Sequence, residues 1–159
     1  MNTSTPAVRL RWAERKQVEM HTLSLDQMLP LEHIARTVWE HVEGLDVTPL
    51  LADILSVEHH AGAPAIDPRV LIALWLLATI QGVGSAREIE RRCEEHMAYR
   101  WLCGGVSVNY HTLSDFRVAH KDALDDLLTQ MLTVLIQGQA VSVMRVAQDG
   151  TDPLEHRSL

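Results

Sequence analysis

Six basic side chains fall between residues 84 and 121: Arg87, Arg91, Arg92, Arg100, Arg117 and Lys121. Guanidinium groups in such number can hold phosphate oxygens through paired, charge-assisted hydrogen bonds, so the chemistry open to this stretch is attachment to a nucleic-acid backbone. Helical spacing places Arg87 and Arg91 on one face, opposite Ile89. A solvated, ion-paired face also accounts for the pattern, because Arg92 stands one turn after Glu88. Arg117 sits beside a Leu113–Phe116 stripe, where a structural ion pair and a phosphate contact are both open.

Other groups offer less. Cys93, His96 and Cys103 are three soft metal ligands close in sequence, but they lack a close cysteine pair and a fourth ligand. Cys93 also falls on an apolar helix face, so the set reads as core. The His59-His60 pair lies in a Gly/Pro loop and reads as surface. Asp149 could contribute to a divalent-metal site only if further acids converged on it. By itself, Asp149-Gly150 is a turn.

The composition limits what these groups can serve. The chain has 159 residues, 47% apolar and 22% charged, in the range of globular domains and enough for one packed core. Its longest apolar run, from Val70 to Ile80, is too short to cross a bilayer. Arg9, Arg11, Arg15 and Lys16 near the start are not followed by an apolar stretch, so no secretory signal is read. Two cysteines form no disulfide framework, and a cytoplasmic location is expected. The net charge of −7 opposes nucleic-acid binding only on average. Residues 1–20 and 84–121 are slightly basic, whereas 21–83 and 122–140 are acidic, so DNA contact through 84–121 or through the N-terminal arm, with an acidic back, is open, as is an acidic helical adaptor that binds no DNA.

Helix punctuation then sets the elements. An apolar stripe through Leu31, Ile34, Val38 and Val42 follows Pro30 and ends near Gly44. Thr48-Pro49 and Asp67-Pro68 each read as a cap followed by proline in the first helical position. The helix opened by Asp67 is apolar on nearly every face and must be central. Ser85 with Glu88 reads as a capping box. A short segment around Tyr99 to Leu102, the Gly104-Gly105 break and a helix carrying Leu113, Phe116 and His120 follow. From Asp122 an amphipathic helix runs through Leu124, Leu127, Leu128, Met131, Leu132 and Leu135, and Gly138 should stop it. Val141 to Asp149 is Val-rich and reads as a strand.

The chain contains, in order, Asp67-Pro-Arg-Val-Leu-Ile-Ala-Leu-Trp-Leu-Leu-Ala-Thr, Ser85-Ala-Arg-Glu-Ile-Glu-Arg-Arg-Cys, Tyr99-Arg-Trp-Leu-Cys-Gly-Gly, His111-Thr-Leu-Ser-Asp-Phe-Arg and Val146-Ala-Gln-Asp-Gly-Thr. Together these runs resemble the N-terminal region of bacterial insertion-sequence transposases with a DDE catalytic domain. The resemblance covers about residues 30 to 151. It implies a helical region that binds the element's terminal inverted repeats and helps dimerise, followed by a ribonuclease H-like domain. His111, Thr112 and Ser114 then join Arg87, Arg91, Arg92, Arg100, Arg117 and Lys121 as DNA-contact candidates. Asp149 becomes the first triad acid and a metal ligand in a complete enzyme. After Thr151 the chain departs from the family pattern and Pro153 spoils a following strand, so a truncated transposase is expected.

The expectation is therefore an all-α domain of about six helices, with a helix-turn-helix-like segment and a C-terminal β-strand remnant. Residues 1–29 form an arm, 30–138 the helical domain, and 139–159 the remnant of the first catalytic strand. The expected partner is double-stranded DNA, with a second copy or full-length transposase as protein partner and no membrane. No cofactor is expected for this chain and no strand-transfer activity; Mg2+ belongs to the full-length enzyme. A helical interaction module that regulates full-length transposase is the alternative.

Overall fold

The computed structural model describes residues 10–55 and 65–149, with side chains for 10–51 and 65–138. Eight helices make up the secondary structure of the described residues: α1 (Leu25–Met28), α2 (Ile34–Glu43), α3 (Thr48–Leu55), α4 (Pro68–Ile80), α5 (Ala86–Glu95), α6 (Met97–Cys103), α7 (Tyr110–Ala119) and α8 (Lys121–Asp149). The all-α expectation holds. The His59-His60 loop lies outside the described residues.

Local signals explain most helix starts. Asp67 accepts from the Arg69 N–H at 2.9 Å, and Pro68, which has no N–H to leave orphaned, opens α4. Asn109 accepts from Thr112 N–H at 2.9 Å at the start of α7. Gly104 ends α6 in the left-handed region, φ 56°, which a side chain would strain. At α3 the cap differs from expectation: Asp46, not Thr48, supplies the oxygen, accepting from the Thr48 N–H and hydroxyl. Ser85 accepts from the Glu88 N–H at 3.4 Å, but the Glu88 carboxylate turns to two arginines and leaves the box half closed. Helix α1, absent from the sequence reading, is set by a full box between Ser24 and Gln27. Leu31, expected on the α2 stripe, precedes the helix and is exposed.

Helix α4 is the centre. Every residue from Val70 to Ala78 is buried, and α2, α5, α6 and α8 all pack on it. Trp75 donates its indole N–H to the Leu113 carbonyl of α7 at 3.1 Å, so the largest side chain of α4 leaves no buried donor unpaired. Elsewhere in the domain, Arg36 bonds Asp26 and the carbonyls of Asp26, Pro30 and Leu29. Its guanidinium lies 5.0 Å from the centre of the Trp101 ring. One cation thereby joins α1, α2 and α6.

The C-terminal part corrects the sequence reading. Residues 141–149 are not a strand: α8 passes through Gly138 and continues to Asp149. An isolated strand leaves both edges unpaired, whereas a helix closes its hydrogen bonds within itself. Leu124 and Met131 face the core, but Leu132 is exposed, so the buried stripe is narrower than the pattern suggested.

Since Gly138 is interior to α8 and a Cβ there meets nothing within 4 Å, Gly138→Ala should raise helical circular dichroism and stabilise the protein by roughly 0.5–1 kcal/mol. A signal that stays level or falls would place a helix end at Gly138.

Candidate nucleic-acid interface

The arginines of α5 separate into two kinds. Glu88 binds Arg91 at 2.6 Å and Arg92 at 3.0 Å, and Arg91 also reaches Glu95. Arg92 further donates to Gln81, which accepts from the Tyr99 hydroxyl as well. These two guanidinium charges are matched by carboxylates on their own helix. Glu88 in turn is held at a pKa of about 2 by its bonds to Arg91 and Arg92.

Arg87 and Arg117 form no ion pair among the described residues. Arg87 lies 4.3 Å from the centre of the Tyr110 ring and donates to the Tyr110 hydroxyl at 3.3 Å. Arg117 lies 4.5 Å from the centre of the Trp75 ring and donates to the Gly84 carbonyl at 3.4 Å. Ring faces and neutral oxygens attract a guanidinium without cancelling its net charge. Both cations are thus positioned and still free to meet an anion. The Gly84–Arg117 and Arg87–Tyr110 contacts also fix how α7 runs beside the start of α5.

The remaining candidates disperse around this pair. His111 and Ser114 are exposed on α7, and the His111 ring lies 4.0 Å from that of Tyr110. Thr112 is half-buried on the other flank of α7. Lys121, at the start of α8, is paired with Asp125 at 3.0 Å. Arg100 is exposed on α6 with no ion pair among the described residues, and no contact joins it to Arg87 or Arg117. Asp149 ends α8. Among the residues whose side chains are described, no three His, Cys, Asp or Glu converge as metal ligands. Cys93 and Cys103 do come together: the neighbouring Cys103 thiol, and then burial, push the Cys93 thiol up. His96 instead begins α6, its ring edge-on to Tyr99.

A family profile described as Transposase domain (DUF772) matches residues 23–119. The chain belongs to this transposase-domain family. Comparison with curated proteins and with solved structures returns no match. The matched transposase domain starts just before the Ser24 cap of α1 and ends with α7, so it contains Arg87, Arg117 and both of their ring platforms. Tyr110 and Trp75 are the participants that sequence reasoning missed. They are distant in sequence from the cations they hold, and helical periodicity carries no signal of such a pair.

Removal of the Glu88 charge gives a pH test. A carboxyl held near 2 against an ordinary 4.5 stabilises the fold fully above about pH 4.5 and loses that contribution as pH falls toward 2. The melting-temperature gap between wild type and Glu88→Gln should be largest near neutrality and narrow over that interval; a gap independent of pH would mean that Glu88 is not held by its arginines.

Proposed function

We propose that this chain is the DNA-recognition part of a transposase, holding the duplex at an element's terminal inverted repeats through the α5–α7 side. The observation that carries this reading is the pair of ring-held, carboxylate-free arginines, Arg87 and Arg117, on one side of a transposase domain. A nucleic-acid backbone is a row of anions, and cations already fixed in place lose less side-chain freedom when they bind it. Arg91, Arg92 and Lys121 would have to leave carboxylate partners first, so they contribute less to affinity than Arg87 and Arg117. The acidic stretches 21–83 and 122–140 disfavour a phosphate backbone, whereas residues 1–20 are slightly basic and could add to the contact.

Cutting and joining would fall to a DDE catalytic domain of the ribonuclease H-like type, and recognition is the role assigned to this chain. Incubated with an inverted-repeat duplex and Mg2+, it should leave both strands intact. Metal-dependent nicking that vanishes in Asp149→Ala would overturn that assignment.

A second reading draws on Leu132, Val134 and Ile136, which are exposed along α8: a helical module that pairs with another transposase chain. Salt separates the two. A duplex binder loses affinity steeply as salt rises, and the logarithmic slope should flatten by about 0.9 for each phosphate contact removed. Arg87→Gln and Arg117→Gln should each flatten the slope by about one contact, while Arg91→Gln should change it little. Circular dichroism of the Arg117 variant checks that loss of its Trp75 and Gly84 contacts leaves the helices formed. Equal slopes in all three variants and wild type would remove the α5–α7 side as the phosphate contact.

A further inference from the structure

Resting on the duplex-binding reading, we infer that α7 is a base-reading helix whose outer face, His111, Ser114, Asp115 and Val118, enters the major groove while Arg87 and Arg117 hold one flanking strand. Spacings of three, four and seven residues put these four side chains on a single face. All four are exposed, Val118 at 80%. The opposite face, Leu113 and Phe116, is anchored in the core, and the Leu113 carbonyl is held by Trp75, so the helix is fixed along its length.

Three features distinguish this face from an ordinary solvated one. No side-chain hydrogen bond or ion pair among the described residues engages His111, Ser114 or Asp115, in contrast to the paired charges of α5 on Arg91, Arg92, Glu88 and Glu95. Its chemistry also spans what base edges offer. His111 and Ser114 donate or accept, Asp115 accepts from a cytosine amino group, and Val118 suits a thymine methyl. The two free cations, finally, stand along one flank, Arg87 reaching Tyr110 at the start of the helix and Arg117 rising from near its end, residues 110 and 117 being roughly 10 Å apart along the helix axis. That charge complements one phosphate strand and gives the face its occupant: a duplex, with the Asp115 carboxylate kept toward the bases and away from the phosphates. Thr112, on the other flank, is left out of the readout.

The test uses the full chain and a library of duplexes randomised over their central positions, with the bound pool sequenced. Wild type should enrich a short motif. Asp115→Ala, Val118→Ala, His111→Ala and Ser114→Ala should each lower discrimination at one or two adjacent positions, about fivefold or more for a lost base contact, with less than about threefold change toward unselected duplex. Arg87→Gln should weaken every sequence alike. Enrichment of the same motif at full strength by all four α7 variants overturns the inference, as does wild-type binding with no motif, and both leave duplex binding itself standing. Retention of no duplex at all by wild type overturns the inference together with the reading beneath it.

Discussion

The fold depends on keeping α4 out of water. From Val70 to Ala78 the helix has no polar side chain and no exposed face, so it cannot lie on a surface as an amphipathic helix does. Burying each large apolar side chain is worth about 1.5–3 kcal/mol, and α4 contributes six of them, Leu71, Ile72, Leu74, Trp75, Leu76 and Leu77, within one stretch. Helices α2, α5, α6 and α8 each supply one side of its enclosure. Their own outward faces can then be polar, and α5 carries this furthest, with Ile89 buried and the rest of its surface largely charged.

Enclosing an aromatic helix also shapes the candidate interface. Trp75 is nearly buried, yet it does two things at the rim: its N–H ties down the α7 backbone and its ring face supports Arg117. A core side chain thus fixes both the helix and a cation beside it. Tyr110 does the same for Arg87 from the start of α7. Arg36 on Trp101 repeats the arrangement but is surrounded by Asp26 and three carbonyls, which makes it a strut joining three helices rather than a free charge. The difference among these arginines is the company of carboxylates, and that difference decides which can still bind an anion.

Much was legible from the residues. Asp67-Pro68 starts α4 as read, the continuous apolar run does make it central, and Ile89, Leu113 and Phe116 point inward at the positions their spacing gives. The misreadings share a cause. At Thr48, Ser85 and Gly138 a short motif had more than one backbone solution, and the choice fell to neighbours: Asp46 took the cap of α3, arginines drew Glu88 out of its box, and the helix carried on where a strand had no partner.

The sequence by itself determined that the chain is helical, which helix lies at the centre and where basic residues gather, because those properties rest on local caps and on a 3.6-residue period that each segment carries alone. Only the tertiary structure decided which of the basic residues keep an available charge. Arg91 and Arg92 meet Glu88 on their own helix, a pairing that spacing allows but does not compel. Arg87 and Arg117 meet Tyr110 and Trp75 from other helices, and no local pattern encodes that meeting. Ion pairing and ring stacking depend on three-dimensional distance, and packing around α4 sets those distances.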